Sequence, residues 1–549
     1  MKKSFLLFAF LAVCAFFLFF FRLGSLGLTD PDEAFYAQTA KEMLQRGEWL
    51  TPYLLGKPQF EKPILFYSLA EGSFALFGVN EFAARLPSAI LAVFGLIAIY
   101  LIGSALFTKR AGILSALAAA ASIEYIALAR ACVTDMALAV FLSLTFLFFI
   151  YGYKGKGSGY YILSSAFTAL AVLTKGPIGV LLPITAIFLF LLLNKDFAAV
   201  RKMPVVPAAA VFLALELPWY LSMYKIHGKA FMDEFFGFHN VTRFLSPEHE
   251  WGQGPFYNIP VVFGGLFPWS LFLPFGFWKS VKEAFRPKGD AACGSRLLLS
   301  WFFTFFVFFS FSSTKLPTYI FPAFFPAAII VGAAWNDLMV SGSSGTVRAM
   351  RASQVVLLSV VIITVAVAYV FLNVRYPGLI DTKGVLISGV IFIAFVALSS
   401  RDLFAGKYLR SFLLTVASVL VTLILFSRFV IPALETHETS KVIAGKLKAL
   451  MKPEEEIGSE SHFIRGVAFY TGKIPVDLDK HHILVRFLES KKRVWCVLKE
   501  KNHIQLYTLD TEPFLMKPTY LVWKLGKKCI VTNVVPDDGK YIVRRDRVQ

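Results

Sequence analysis

The sequence predicts an all-helical membrane protein of about thirteen spans, with amphipathic helices along its outer face and a small α/β domain at its C-terminal end. Three observations predict it. Of the 549 residues, 57% are hydrophobic and 58 are Phe, more apolar surface than a soluble chain needs. The apolar residues gather into runs separated by short basic loops. Beyond Glu435 the runs stop and a polar, alternating text begins ("KRVWCVLKE", "YLVWKLGKKCIVTNVV") that reads as short strands with one or two helices.

The first run, 4–21, follows Lys2-Lys3. No small-residue cleavage site lies near Phe21-Arg22-Leu23, so the segment is expected to be a retained span and not a cleaved signal. The first outer segment, 22–85, is long for a loop. It is expected to hold two amphipathic helices lying against the membrane, over 31–45 and over 63–77 from Pro63. Further runs fall at 86–107, 112–129, 136–152, 160–174, 177–193, 204–224, 256–278, 298–312, 317–335, 355–372, 385–399 and 411–432.

Alternate loops carry the basic residues: Lys109-Arg110, Lys154 with Lys156, Lys195 with Arg201-Lys202, the Lys279–Arg296 cluster, Arg348 with Arg351, and Arg401, Lys407 and Arg410. The excess of cations on cytoplasmic loops puts the N-terminus inside. An odd number of spans then puts the C-terminal part outside. The expected division is a membrane domain over 1–435 and an extracytoplasmic domain over 436–549.

The formal charge of +19 is mostly the membrane-topology signal of those loops, not a nucleic-acid footprint. Residues 441–549 hold 21 Lys and Arg against 13 Asp and Glu, a surplus that suits either anionic headgroups or a solvated surface. The chain has neither a P-loop nor a G-x-G-x-x-G, which removes the sequence case for ATP or NAD. Five cysteines show no metal-binding spacing. Cys496 and Cys529 both fall in the outer domain, where a disulfide between them is permitted.

The stretch "LTDPDEAFYAQTAKEML" crowds Asp30, Asp32 and Glu33 into four positions. Asp30 suits an N-cap, Pro31 the first turn, and Glu33 the far side of a capping box. Asp32 is left over. The other outer segments also deliver polar groups at one depth. "FEKPILFY" brings Glu61 and Lys62, "RACVTDMAL" Asp135, and "LTKGPIG" Lys175. "FHNVTRFL" brings His239 and Arg243 on one helical face, and "SSTKLPTYIFP" brings Lys315 and Tyr319.

Each has an ordinary reading as well. Asp135 complements a helix start, Lys175 and Lys315 suit snorkelling, and a lone His is more often structural. Lys62 fits that scheme badly, because a cation at a helix start is misplaced unless an anion is held there. Carboxylates together with Lys, Arg and Tyr suit a phosphorylated substrate.

In their order, "DPDEAFYA", "FEKPILFY", "VTDMAL", "TKGPIGVLLP", "FHNVTRF" and "STKLPTYIFP" resemble the bacterial lipid A 4-amino-4-deoxy-L-arabinose transferases. Those belong with the protein O-mannosyltransferases among GT-C glycosyltransferases that use polyprenyl-phosphate sugars. The resemblance covers about residues 20–335. It implies a bacterial inner-membrane enzyme with its active site facing the periplasm, an undecaprenyl-phosphate-linked sugar donor, and lipid A or another periplasmic glycan, lipid or protein as acceptor. By resemblance Asp32 is the catalytic carboxylate, with Glu33 beside it and Asp135 as a second family acid. Lys62, Arg243 and Tyr319 match residues around the lipid phosphate. Glu61 and His239 leave a divalent metal open, although no dense ligand cluster supports one and no cofactor is otherwise implied. One departure is Phe35, where the family often has Arg before the Tyr of its first motif; this bears on the identity of the sugar.

With such a donor, cationic and phenolic groups would stabilise the leaving phosphate. Asp32 would act as general base toward a hydroxyl acceptor, or as a charge stabiliser if the acceptor is itself a phosphate. The main rival reading is a lipid or sugar transporter or flippase, whose ionisable groups usually lie near the bilayer midplane. A receptor or scaffold built around the C-terminal domain leaves the charged outer ring unexplained.

Overall fold

A computed structural model describes residues 2–242, 254–287, 289–375, 381–506, 518–536 and 541–544. It divides into two compact units. The first comprises Met1–Arg22, Phe60–Phe66 and Arg85–Phe429; the second comprises Leu23–Gln59, Tyr67–Ala84 and Val430–Gln549.

In the first unit every apolar run of the sequence folds as helix. Among the described residues, eight helices are long and apolar enough to cross a membrane, or up to ten if each bent pair is one span. One such pair, Lys109–Ala120 with Ile123–Ala129, bends by 70°. The other, Asn258–Gly265 with Trp269–Ala284, bends by 111° at a break holding Pro268, which lacks the N–H that a continuous helix would use. Shorter apolar helices include Leu6–Phe20 and Ile178–Asn194.

Small residues let these helices approach closely. A Cβ on Gly332 would come within 2.2 Å of Ser115 Oγ, so the 109–120 and 324–340 helices touch nearly backbone to backbone. Buried polar side chains are paired across helices: Ser399 Oγ lies 2.9 Å from both Ser411 Oγ and Thr415 Oγ1, and Gln354 donates to Ser399 and Ser400. Helices Val205–Phe231 and Ser344–Arg375 instead expose Leu213, Leu221, Ile363 and Val367. Water would oppose such surfaces; hydrocarbon does not.

In the second unit the first expected outer helix forms as Asp32–Arg46 and ends where Gly47 takes φ 65°, a backbone state that Gly adopts without a Cβ penalty. The helix expected over 63–77 forms as Leu65–Phe77. Between them β1 (Tyr53–Leu54) and β2 (Lys57–Pro58) make a short antiparallel pair. The C-terminal part is an α/β fold built on a six-stranded sheet. Its strands are β3 (Glu456–Ser459), β4 (Val476–Asp477), β5 (Val494–Lys499), β6 (Thr519–Leu525), β7 (Lys528–Thr532) and β8 (Ile542–Arg544), in the spatial order β4-β3-β5-β7-β6-β8. The β3 strand runs parallel to β4 and β5, and the remaining pairs are antiparallel.

Alternation along β5 feeds two cores. Trp495 and Val497 pack with Ile443, Phe463 and Val467 from helices Lys441–Leu450 and Ser461–Thr471. Cys496 and Leu498 pack with Leu484 and Leu488 from His481–Leu488.

Cys496 and Cys529 are not joined by a disulfide, which corrects the expectation that they could bond. They lie on neighbouring strands but not opposite one another: Cys496 faces Val531 and Cys529 faces Leu498. Such diagonal neighbours stand about 7–8 Å apart, beyond the usual Cα separation of a disulfide. Burial pushes the Cys496 thiol up, so it stays protonated inside the core.

Candidate functional site

Asp32 is exposed at the first position of its helix, and Glu33 beside it is buried. The capping box expected there forms only in half. Pro31, not Asp30, precedes the helix, and it supplies no side-chain cap. Glu33 reaches back as expected, but to Thr29, accepting from its N–H and its hydroxyl at 3.0 Å each. Asp30 turns away. Its Oδ2 accepts from Ser440 Oγ at 2.6 Å and lies 3.9 Å from Lys528 Nζ.

The chain leading into the helix is held to the C-terminal segment by its backbone as well. Thr29 bridges Thr439, the Asp30 N–H donates to Glu438, and the N–H groups of Gly27 and Leu28 donate to Glu435 and to the Tyr470 hydroxyl. Burial pushes the Asp30 carboxyl up to about 7, against the pull of the Ser440 hydrogen bond and the charges of Lys528 and Arg465. The Arg465 guanidinium also lies 5.0 Å from the centre of the Phe35 ring.

In the first unit, Glu61 and Lys62 precede the Leu65–Phe77 helix and pair with each other at 3.2 Å. That pair revises the argument about Lys62. The helix starts three residues later, and the adjacent carboxylate already offsets the ammonium charge.

Asp135, Lys175 and Tyr319 come together from three separate segments. Lys175 Nζ lies 2.6 Å from Asp135 Oδ1, with both side chains largely buried, and 4.5 Å from the centre of the Tyr319 ring. The local sequence explains the meeting. Asp135 stands in the first turn of Thr134–Tyr153, Lys175 closes Gly159–Lys175 before Gly176 turns the chain at φ 81°, and Tyr319 sits in the 3₁₀ turn Pro317–Ala323. An anion at a helix start and a cation at a helix end each complement the helix dipole, so the two helices present matched charges at one level. A buried ammonium beside a phenol can take part in binding an anion, with the carboxylate orienting it while the site is empty.

Lys315 is buried and donates to the Ser312 carbonyl at 2.6 Å. His239 belongs to the wound segment Met232–Thr242. Arg243 lies outside the described residues, so the expected pairing of His239 with Arg243 falls outside them too. Among the described residues, no group of three or more His, Cys, Asp or Glu side chains is arranged to hold a metal ion.

Four participants escaped the sequence reading. Glu124 lies close enough to Asp135 for their charges to repel. Arg130 holds the carbonyls of Leu18 and Arg22 at the end of the first helix, at 3.1 and 3.4 Å. Ser440 and Lys528 hold Asp30. Arg130 had a local signal, a cation in the same nine residues as Asp135; Ser440 had none, since it stands 410 residues from its partner.

Comparison with known proteins adds independent information. The model of the dolichyl-phosphate-mannose-protein mannosyltransferase family matches residues 61–221. An uncharacterised protein of Aquifex aeolicus is 31% identical over 339 residues, covering 61% of this chain and 65% of that one. An undecaprenyl phosphate-alpha-4-amino-4-deoxy-L-arabinose arabinosyl transferase of Pseudomonas fluorescens is 30% identical over 344 residues, covering 60% and 56%. The chain thus spans 56–65% of the length of these two relatives. In three dimensions it resembles ArnT from Cupriavidus metallidurans bound to undecaprenyl phosphate, with TM-score 0.78, 22% identity and coverage of 97% and 98%. It also resembles the Archaeoglobus fulgidus oligosaccharyltransferase, with TM-score 0.52, 13% identity and coverage of 95% and 74%. At those identities the likeness is one of fold.

Proposed function

We propose, since this chain belongs to the GT-C, 4-amino-4-deoxy-L-arabinose transferase-like family, that it is an inverting glycosyltransferase of the bacterial inner membrane. It takes a sugar, 4-amino-4-deoxy-L-arabinose by family analogy, from undecaprenyl phosphate to lipid A or a related periplasmic acceptor. The observation that carries the reading is the meeting of Asp135, Lys175 and Tyr319 in a chain whose sequence relatives include arabinosyl transferases.

The step is a direct displacement. An acceptor oxygen bonds to the anomeric carbon as the bond from that carbon to the phosphate oxygen breaks, and the phosphate leaves with the electron pair. Lys62, Lys175, Arg243 and Tyr319 stabilise the phosphate as its charge grows, with Lys315 and Glu61 bordering it. Asp32 receives the proton of a hydroxyl acceptor; toward a phosphate acceptor, which arrives without that proton, it stabilises positive charge at the sugar. Asp32 is exposed, as a group that meets substrate must be. Glu33, tied to Thr29, sets the start of its helix.

The test is transfer from undecaprenyl-phosphate sugars by purified protein without ATP. Asp32→Asn should cost about a hundredfold or more, the usual scale for general base catalysis, while donor binding survives. Substrate movement across vesicles without transfer would favour a transporter instead. Orientation has its own test: cysteine labelling should reach 225–255 and 441–549 from the periplasm and 279–297 from the cytoplasm.

A further inference from the structure

Helical segment Pro317–Val340 carries Tyr319 near one end and Asn336 and Asp337 near the other, about 26 Å apart at 1.5 Å per residue. Around that second end, remote from Asp135 and Lys175, lies a cavity of about 970 Å³. Its lining is mixed. Leu106, Phe275, Trp278 and Ile330 are apolar, and Lys279, Lys282 and Arg286 are basic.

The acids of the cavity are already matched. Asp337 pairs with Lys279 at 2.5 Å, Glu283 with Arg286 at 2.9 Å, and Asp290 with Lys154 at 3.5 Å. Lys282 is different. Among the described residues it makes no ion pair, and its ammonium lies 5.5 Å from the centre of the Trp278 ring. Trp278 is 60% exposed, and an indole with an exposed face is typical of the headgroup level of a bilayer. Three helices, Lys109–Ala120, Asp290–Phe311 and Ser344–Arg375, begin beside the cavity, and their N–H ends add to the attraction for an anion.

We propose that this cavity binds the headgroup of an anionic glycerophospholipid, in the leaflet opposite the candidate active site. The phosphodiester meets Lys282, and the upper acyl chain lies along Leu106, Phe275, Trp278 and Ile330. Among the described residues a single unmatched ammonium faces the single charge of a phosphodiester, whereas a phosphomonoester would bring more charge than those residues neutralise. A lipid of this kind brings both partners that such a mixed lining calls for, an acyl chain for the apolar residues and an anionic headgroup for Lys282.

The test uses Trp278 as the reporter. Full-length protein is reconstituted in phosphatidylcholine nanodiscs, and phosphatidylglycerol brominated high on its acyl chain is titrated in. Quenching assigned to Trp278 is the difference between the natural chain and Trp278→Phe. Brominated phosphatidylglycerol should quench it at about fivefold lower content than brominated phosphatidylcholine, the scale of one lysine at an anionic surface. Lys282→Gln should abolish that preference, and since Lys282 is exposed the variant should fold and elute as the natural chain does.

Unlabelled phosphatidylglycerol should relieve the quenching. Undecaprenyl phosphate relieving it at lower content would overturn the choice of a phosphodiester. Equal quenching by the two brominated lipids, or a preference that persists in Lys282→Gln, would overturn the site. The outcome is independent of whether the protein transfers sugar.

Discussion

Two buried carboxylates, Asp135 in the membrane unit and Asp30 in the other unit, are each set near a lysine, yet they are held in opposite ways. Asp135 meets Lys175 directly at 2.6 Å. Asp30 stands 3.9 Å from Lys528, with its short contact going to the neutral Ser440 hydroxyl, while Lys528 Nζ donates to the Thr439 carbonyl at 2.5 Å. Charge decides the first contact and hydrogen bonding the second. The first suits a place where a charged ligand is to be received; the second suits a clasp that fixes the chain leading into the Asp32 helix. One consequence is that Asp30 can bind a proton near neutrality without losing its main contact.

The largest effect should come from breaking the direct pair. Lys175→Ala leaves Asp135 buried and uncompensated, at a cost of about 3–5 kcal/mol, read as a lower melting temperature in detergent and poor yield. The double change Asp135→Asn with Lys175→Met should recover much of that stability without recovering transfer. No loss in the single variant would show that the pair is solvated and weak, and no recovery in the double variant would show that the loss comes from packing and not from a stranded charge.

Next comes crowding at the clasp. A Cβ on Gly466 would lie 2.3 Å from Asp30 Oδ1, so Gly466→Ala should push Asp30 off Ser440 and cost about 1–3 kcal/mol, the usual scale of overpacking. Hydrogen exchange should rise at residues 27–30 and 435–440. Unchanged protection there would mean that the clasp is elastic.

Removing the clasp's charge should do less. Asp30→Asn keeps an acceptor for Ser440 and should be mild, by about 1 kcal/mol or less, the net worth of an ordinary hydrogen bond. Asp30→Ala leaves Ser440 unpaired and should cost more. Equal losses from both would show that the ionised carboxylate matters after all.

The fourth effect is a pH slope. Folding raises the Asp30 carboxyl from 3.8 to about 7, so between those values the folded state holds more protons than the unfolded state. Its contribution is full below the lower value and is lost as pH rises through about 7. Melting temperature should therefore fall from pH 5 to pH 8, most of the fall coming before pH 7, and the slope should flatten in Asp30→Asn. A slope unchanged by that substitution would assign it to another group.

Local patterning made much of the molecule legible. Apolar runs, helix starts and the alternation of "KRVWCVLKE" act over a few residues, so helices and strands could be read with small errors, such as Leu65 in place of Pro63 at a helix start. The six outer motifs could be gathered on one list because loops alternate sides. What the sequence alone determined is which segments are apolar enough to prefer lipid and which residue types wait between them, because hydration and backbone periodicity are local. Only the tertiary structure decided that Lys175 pairs with Asp135, that Lys62 is offset by Glu61, that Cys496 and Cys529 are out of register, and that Asp30 serves Ser440 instead of its own helix. Apart from Lys62 and its neighbour Glu61, each of those choices is a competition among partners far apart in the chain, settled by burial, which makes an unpaired charge or hydroxyl costly and leaves it to take whichever partner the packing brings within reach.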